Sequence, residues 1–438
     1  LTEGTIWKQL VRYASPVILS SLLQSAYSIA DFLIAGRLIG NAGLSAINNS
    51  SQLMLILTQI IMGIAMGASI LMSQYYGSRD NKNRAHTNVT LFTFSMIMGA
   101  VMLIMVLLFG RGMLMILGAP AIEEASIYLS ICALGIIPIF GYNALASMVR
   151  SVGNSKQPLY CIFVTSVLNV VLDILFMGPF KMGVAGAALA TILSQMLSFA
   201  IMLIYVLSQK ELFSLSLRHL YVKKDKFKQM LRLGIPCSIQ MTVIGLSWLT
   251  MTFLINAYGV EASAASGICA KVRDCTQIFS LAMGNACATM IGQCLGAKKY
   301  DRASRVVHVG MRIAIGISIV LIIIIELTAP NLVALFQQDS VTSAIAVQNL
   351  RIEIVAAVFY ASFLVYNALP MAAGHTGFSL FSSLVNCIFV RLILAIILNH
   401  IYGLVGVFVA CMLAPASSVP LGYIYEKMGR WRKSLADE

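Results

Sequence analysis

The chain is a succession of long apolar stretches separated by short segments of turn-forming and charged residues. Runs such as MLIMVLLF at 102–109 and IVLIIII at 319–325 contain no polar residue. A helix of about 20 apolar residues is long enough to cross the hydrocarbon layer of a bilayer. The pattern predicts an all-α polytopic membrane protein with twelve transmembrane helices, numbered here as spans 1 to 12, near residues 14–38, 47–75, 90–110, 125–149, 158–178, 184–208, 233–257, 268–296, 307–328, 345–371, 377–398 and 404–426.

The composition excludes a soluble globular protein. Of 438 residues, 59% are hydrophobic and 11% are charged, and the mean hydropathy is +0.87. A soluble domain could not bury so much apolar surface. Continuous apolar runs also exclude a transmembrane β-barrel, whose strands alternate polar and apolar residues. We expect no cleavable signal peptide, because the first apolar stretch is too long and carries Asp31.

The distribution of basic residues predicts the orientation in the membrane. Of the 30 Lys and Arg residues, 23 lie at the two termini or in the loops on their side, and three lie in the opposite loops. Because cytoplasmic loops are enriched in basic residues, both termini are expected in the cytoplasm, in a multi-pass protein of the cell membrane. The net charge of +13 is therefore attributed to these loops rather than to nucleic-acid binding. The basic connector 209–232 is expected on the anionic inner leaflet.

The sequence repeats at a spacing of about 220 residues. Ser-Gln-Tyr-Tyr-Gly-Ser-Arg at 73–79 recurs as Gly-Gln-Cys-Leu-Gly-Ala-Lys at 292–298, and MGVAGAALA around Gly183 recurs as YGLVGVFVA around Gly403. Each half holds six spans, so the halves are parallel repeats, a known plan of transporters. We expect two six-helix bundles related by a pseudo-two-fold axis: 1–208, then a cytoplasmic linker at 209–232, then 233–438.

Two carboxylates lie inside predicted spans, Asp31 in span 1 and Asp173 in span 5. A carboxylate in the hydrocarbon region costs at least a few kcal/mol, about 3 on insertion scales, and is found there when it faces a cavity and has a function. Acids in such places commonly bind or carry protons or cations. The pair therefore indicates a coupled transporter.

Helix geometry allows five polar groups to converge. Asp31 follows Pro16 at the same spacing as Asp173 follows Pro158, and both prolines lie near the inner end of a span, so the acids reach a similar depth. Thr191 enters span 6 from the outer side and reaches the same layer. Tyr27 and Asn169 each lie one helical turn before an acid, on the same face. Two adjacent acids would titrate as one coupled unit.

These features together resemble the multidrug and toxic compound extrusion (MATE) family. They are twelve spans in two repeats, an acid in spans 1 and 5, and Gln-x-x-Gly at the ends of spans 2 and 8. The resemblance covers essentially the whole chain. It implies an antiporter rather than an enzyme, which exports amphipathic organic cations or xenobiotics by alternating access, driven by H⁺ or Na⁺.

Within that family, the chain looks like the prokaryotic branch whose cation site lies in the N-terminal bundle. The resemblance assigns this cation-coupling site to Tyr27, Asp31, Asn169, Asp173 and Thr191. The last four could also supply an oxygen shell for Na⁺. The sequence leaves H⁺ and Na⁺ both open, and no organic cofactor is expected.

The second half lacks the paired acids. The repeat position of Asp31 falls near Thr252, and that of Asp173 near Ala395. Candidates for its substrate cavity are Gln240, Lys271, Arg273, Asp274 and Arg391. The residues around Arg273 form either a charge cluster in the cavity or an internally paired triplet with Asp274. Arg391 either reaches the membrane surface or pairs with Asp274 or a helix end, and Glu353 is interpreted as a loop or interface charge.

Two other functions remain as alternatives. A flippase for lipid-linked saccharides or another lipid would share this architecture, but should carry basic residues across its central cavity. A membrane-embedded enzyme or a channel would need a catalytic constellation or a symmetric pore motif, and neither is found in the sequence. The sequence also lacks the phosphate-binding loop of an ATP-driven pump. The expected partners are small amphipathic cations and the lipid bilayer, and the expected state is a monomer.

Overall fold

The computed structural model describes residues 1–116, 122–335 and 339–432, apart from the side chains at 40–42, 44–45 and 116. Within these ranges every regular element is a helix. Lys433, counted above with the cytoplasmic basic residues, lies outside the described part of the chain. The prediction of an all-α membrane protein is confirmed.

The helices follow the predicted order along the chain. They are α1 (Ile6–Leu38), α2 (Gly40–Gly77), α3 (Asn81–Ile116), α4 (Ile122–Leu134), α5 (Ile136–Ser151), α6 (Lys156–Met177), α7 (Gly183–Ser208), α8 (Lys210–Phe213), α9 (Lys224–Asn256), α10 (Val260–Gly296), α11 (Tyr300–Ala334), α12 (Ser340–Ile354), α13 (Ala356–Ala372), α14 (Thr376–Leu384), a π-helix (Val385–Leu392), α15 (Ile393–Tyr402), α16 (Leu404–Leu413), a 3₁₀ turn (Ala414–Ser417), α17 (Ser418–Met428) and a 3₁₀ turn (Arg430–Arg432).

One predicted span is bent. Among the described residues, eleven helical segments are long and apolar enough to cross a membrane, and the pair α4–α5 makes a twelfth. This pair replaces the straight span predicted at 125–149, and its two helices meet at 48°. Gly135 lies at the break. Pro138 has no N–H to bond the carbonyl four residues before it, which interrupts the helix at this point.

The helices are longer than the predicted spans. α9 begins at Lys224 rather than 233, and α10 has 37 residues. A helix of that length is roughly 55 Å long, well beyond the ~30 Å hydrocarbon layer. Hydropathy could not locate these ends, because the added turns are polar and lie outside the apolar window. The connector between α7 and α9 is consequently shorter than predicted and includes α8.

The described chain separates into two compact units. Unit N contains Leu19–Met72 and Asp80–Gly234, and unit C contains Leu1–Ile18, Ser73–Arg79 and the described part of Ile235–Glu438. Thus α1 and α2 each contribute to both units. The division at 1–208, 209–232 and 233–438 stays a prediction. It differs from the observed units in where Leu1–Ile18 and the end of α2 belong.

Unit N has a core built from the faces of four helices. Leu57, Val106, Leu129 and Phe140, from α2, α3, α4 and α5, are among its fully buried members. Hydroxyl groups fasten the same helices together: Ser50 donates to the Ala125 carbonyl and Ser147 to the Ala65 carbonyl, both at 2.9 Å. Such bonds satisfy polar groups where no water is present. The acids and most of the polar residues described below lie on three other helices of this unit, α1, α6 and α7.

Unit C is centred on α10, in which 78% of the most apolar 18-residue stretch is buried. It packs with α11 and α13 and with the first turns of α1, where the Tyr13 and Thr289 hydroxyls lie 3.2 Å apart. Arg302 on α11 fixes the chain start. Its guanidinium donates to the carbonyls of Leu1, Glu3 and Gly4 and to the side chain of Gln9.

Backbone conformation preserves the internal repeat. Positive φ angles occur at Arg79 and Lys298 (61° and 57°), at Gly153 and Gly374 (92° and 82°), and at Gly183 and Gly403 (both 59°). The members of each pair are separated by nearly the same length of chain, as the repeat predicts. Arginine and lysine rarely adopt this conformation. Its recurrence at equivalent places therefore shows that the two halves share their turns as well as their spans.

Candidate functional site

The two predicted acids lie on helices of unit N, Asp31 on α1 and Asp173 on α6. The buried positions of α6 recur every three or four residues, as Thr165, Asn169, Asp173 and Met177. This is the spacing of one helical face. Asp173 is fully buried and Asn169 is 5% exposed, so both polar side chains point into the protein.

Asp31 and Asp173 are neighbours in the structure. Their carboxyl groups are close enough to interact electrostatically. Among the described residues neither acid takes part in a salt bridge. Oδ1 of Asp31 and both Oδ atoms of Asp173 are buried without a hydrogen-bond donor in the described part of the protein. The sequence-based prediction that these acids could meet is thus supported by their geometry.

The groups around the pair have the chemistry of a cation site. Besides the carboxylate oxygens, the amide Oδ1 of Asn169 is buried and lacks a donor among the described residues. These are hard oxygen acceptors, suited to a proton or to Na⁺. Buried acceptors without donors carry a desolvation cost. A bound cation would remove that cost, so the residues present fit such an ion.

The remaining two predicted members are placed less directly. Tyr27 is partly buried, and its charge interaction with Asp31 places it beside the acid. The Thr191 hydroxyl donates to the Ala187 carbonyl at 3.0 Å on its own helix. Its lone pairs are not used by that bond. No contact of the described residues joins Thr191 to either acid, so its role stays a prediction.

Two residues of the site escaped the sequence analysis. Tyr128 and Cys132 on α4 are 4% and 5% exposed, and both interact with the charge of Asp31. They lie one turn apart on one face of their helix. The sequence did contain one indication, because Tyr128 lies in a predicted span. A buried tyrosine hydroxyl usually has a polar partner.

A second cluster of polar residues lies in unit C. Arg273 on α10 donates from Nη1 to Oε2 of Glu353 on α12 at 3.0 Å. Its Cζ lies 3.7 Å from the ring centre of Trp248 on α9. Glu353 is 8% exposed. The interpretation of Glu353 as a loop or interface charge is therefore wrong, because it is the buried partner of Arg273.

Arg391 completes this cluster. It is 3% exposed, its Cζ lies 4.4 Å from the Trp248 ring centre, and Nη1 lies 3.3 Å from the Ser247 hydroxyl. Arg391 therefore neither reaches the membrane surface nor bonds Asp274 in the described structure. It belongs to the π-helix, whose extra residue per turn changes the direction of the side chains that follow.

The other predicted cavity residues lie apart from the cluster. Lys271 and Asp274 are exposed, and Asp274 senses the charges of Arg273 and Lys271 without forming an ion pair to either within the described ranges. The paired triplet expected from the sequence is replaced by the Arg273–Glu353 pair. Gln240 is buried and donates from Nε2 to the Ser383 hydroxyl at 2.8 Å.

Known proteins resemble this chain over most of its length. One protein-family model, described as MatE, matches residues 16–175 and again 236–397. The chain is 29% identical over 444 residues to the "Probable multidrug resistance protein YoeA" of Bacillus subtilis. The alignment covers 99% of this chain and 96% of the relative. It is 34% identical over 306 residues to "Probable multidrug resistance protein YpnP" of the same organism, covering 67% and 66% of the two chains.

Solved structures show the same fold. A structure described as the outward-facing conformation of a multidrug resistance MATE family transporter superimposes with a TM-score of 0.91 at 22% identity, covering 97% of this chain and 96% of that one. The family model accounts for both halves of the sequence, beginning at Pro16 and at Pro236. The two repeats, the paired acids of unit N and the matching fold lead to one assignment: this chain belongs to the MatE family.

Proposed function

We propose that the protein is a secondary active antiporter that exports amphipathic organic cations or other xenobiotics in exchange for H⁺ or Na⁺. Relatives named as multidrug resistance proteins support the class of substrate. The observation that carries the proposal is the adjacency of Asp31 and Asp173. Asp173 is buried and Asp31 partly buried, and neither has a basic partner among the described residues.

The pair supports a simple coupling mechanism. Two adjacent carboxylates repel each other in a dry site, and a cation relieves that repulsion. One proton or Na⁺ halves the negative charge of the ionised pair and weakens its attraction for an organic cation, whereas the empty pair attracts that cation more strongly. Alternating access would then exchange one cargo for the other: the ion enters from outside, and its arrival displaces the drug outward.

The residues divide this work between them. Asp31 and Asp173 would carry the charge, Asn169 would offer a neutral oxygen, and Tyr27, Tyr128 and Cys132 would border the pair. Neutral ligands contribute less than charged ones. Removing a carboxylate is therefore expected to abolish coupling, whereas removing Asn169 or Thr191 is expected to weaken it.

Ethidium uptake into inverted vesicles, which corresponds to export from the cell, tests the proposal and identifies the ion. A pH gradient and a Na⁺ gradient are imposed separately, on the wild type and on Asp31→Asn. Uptake driven by one gradient in the wild type and absent in the variant supports the proposal. Uptake that ignores both gradients would contradict it.

Lipid flipping is less well supported. A flippase for lipid-linked saccharides needs basic residues free to hold its pyrophosphate, and the buried candidates are Arg273 and Arg391. Arg273 is engaged by Glu353 at 3.0 Å, and both lie against Trp248 in a cavity with about 40 Å³ of free volume. A lipid headgroup does not fit in that space.

A further inference from the structure

The Arg273–Arg391 cavity of unit C corresponds, through the repeat, to the acid site of unit N. The two matched segments begin at Pro16 and Pro236 and end at Leu175 and Ile397. Asn169 and Arg391 lie at the same distance before the ends of their segments, at neighbouring positions of the repeat. The repeat spacing also takes Tyr27 and Cys132 to the neighbourhood of Trp248 and Glu353.

The acid site and the cavity draw on corresponding segments of the repeat. Tyr27 and Cys132 are near enough to Asp31 in unit N to interact with its charge. Trp248 and Glu353, from the corresponding segments of unit C, line one cavity together with Arg391. In unit C, however, Thr252 and Ala395 lie near the repeat positions of the two acids.

The charges that line the cavity do not cancel. Glu353 neutralises Arg273, with the two side chains 7% and 23% exposed. Arg391 has the Ser247 hydroxyl and the face of Trp248 as its contacts. Its Nε is buried and has no hydrogen-bond acceptor in the described part of the chain. Asp274 and Lys271 are exposed and do not line the cavity.

A cation left in this position is costly to keep. A buried charge without a partner of opposite sign loses its hydration and gains no ion pair in return. A monoanion would provide the missing charge and accept the free Nε–H. Both guanidinium groups lie against the Trp248 ring, at 3.7 and 4.4 Å from its centre, and both line the same cavity, where the uncompensated charge is that of Arg391.

The size of the cavity limits what can bind. Its free volume is about 40 Å³, which suits a single small ion or a few water molecules. Pockets for drug-sized ligands are larger, on the order of 300 Å³ or more. Organic anions such as gluconate are therefore too large.

We propose that this cavity is an anion site that binds one small monovalent anion, of the size of chloride, beside Arg391 and Arg273. The proposal goes beyond drug–cation exchange and does not depend on it, because every residue involved lies in unit C. Chloride would stabilise this unit, and the site would make the protein's stability respond to chloride while its cation coupling rests on unit N.

The test measures thermal unfolding of the purified full-length protein at constant Na⁺ and constant ionic strength, with gluconate replaced stepwise by chloride. Binding to the native state raises Tm with chloride concentration in a saturable way. We expect chloride and bromide to stabilise the wild type and gluconate to have no such effect. Equal Tm values in chloride and gluconate would overturn the proposal.

Two variants locate the effect. Arg391→Gln should weaken chloride binding by about tenfold or more, because it removes the uncompensated charge. The matched control is Arg351→Gln, which removes an exposed arginine of α12 that pairs with Glu326 at 3.5 Å outside the cavity. Its chloride response should equal that of the wild type. An unchanged response in Arg391→Gln would place the anion elsewhere and refute the site.

A further experiment on the wild type tests the site even if Arg391→Gln does not fold. Crystals grown in bromide should show an anomalous peak next to the Arg391 guanidinium. Bromide peaks only at other positions would overturn the assignment.

Discussion

Gly77 lies so close to Gln293 that a Cβ atom at Gly77 would be 2.0 Å from the Gln293 carbonyl oxygen. The contact is reciprocal, since a Cβ at Gly296 would be 1.9 Å from the Gln74 carbonyl oxygen. These are the glycines and glutamines of the two Gln-x-x-Gly motifs. The motif that repeats in sequence therefore serves to bring the ends of α2 and α10 into backbone contact within unit C.

This contact predicts that Gly77→Ala is destabilising. The neighbouring atom belongs to the backbone and cannot rotate away, so the helices must move apart, at a cost of about 1–3 kcal/mol. Thermal unfolding in detergent measures the effect. Gly245→Ala on α9 is the matched control, because no atom lies within 4 Å of the added Cβ. It should be neutral or gain up to about 1 kcal/mol. Equal Tm changes in both variants would contradict the close packing.

Asp31→Asn should abolish ion-driven efflux and leave the protein folded. The substitution keeps the size of the side chain and removes only its ionisation. Expression and Tm serve as the folding control, and vesicle efflux is the readout. A folded variant that exports drug at the wild-type rate would show that Asp31 is not the coupling residue.

Asp173→Asn should impair efflux in the same way, and the double variant should be little worse than either single one. Residues that act as one unit give strongly non-additive losses. Initial efflux rates of the four proteins form the double-mutant cycle. Losses that simply multiply would indicate two independent sites rather than one coupled pair.

Asp274→Asn should retain ion-driven export. Asp274 is exposed and lies outside the unit C cavity, and the repeat positions of the two essential acids carry Thr252 and Ala395. Purified protein in liposomes, with an imposed proton or Na⁺ gradient, provides the measurement. Loss of coupling with drug binding intact would move the essential carboxylate into unit C.

The stability contributed by Asp80 should depend on pH below about 4. Partial burial of Asp80 acts to raise its pKa, but hydrogen bonds from the backbone and side chain of Asn83, with the charge of Lys226, outweigh it and hold the pKa below its usual value. A carboxylate with a depressed pKa stabilises the fold above its unfolded-state pKa of about 3.9 and loses this effect as the pH falls through its folded value.

Asp80 caps α3, and loss of an N-cap costs about 1 kcal/mol. Asp80→Ala should therefore lower stability by about that amount at pH 7, and the difference from the wild type should shrink as the pH falls below about 4. Unfolding curves at several pH values measure it, with Asn83→Ala as a control that removes the side-chain donor. A difference that does not change with pH would contradict the assignment.

The spans and the repeat were predictable because both depend on short stretches of neighbouring residues. Hydropathy sums over neighbouring residues, and the turns at Gly153 and Gly183 recur with their own conformation at Gly374 and Gly403. Counting from Pro16 and from Pro158 places Asp31 and Asp173 at a similar depth, so the sequence indicates that the two acids can meet. That they are neighbours is a finding of the structure.

The chemistry of unit C was not predictable in the same way. Arg273 and Glu353 are 80 residues apart in sequence, and which acid pairs with which base depends on how α10 and α12 pack. The 48° bend between α4 and α5 and the π-helix that contains Arg391 change side-chain directions without changing hydropathy. A residue count along a straight helix therefore misplaces the groups beyond them.

The first residues of the chain find their partners very late during synthesis. Tyr13 meets Thr289, 276 residues further on, and Arg302 holds the carbonyls of Leu1 and Glu3. At roughly 5–20 residues per second, the ribosome needs about 15–55 s to produce the missing contact surface. For that time the beginning of α1 lacks these contacts. Unit C therefore becomes complete only after its late helices have been made, because Leu1–Ile18 packs with them. In nascent chains stalled before α10, we expect Leu1–Ile18 to be accessible to proteases and chaperones.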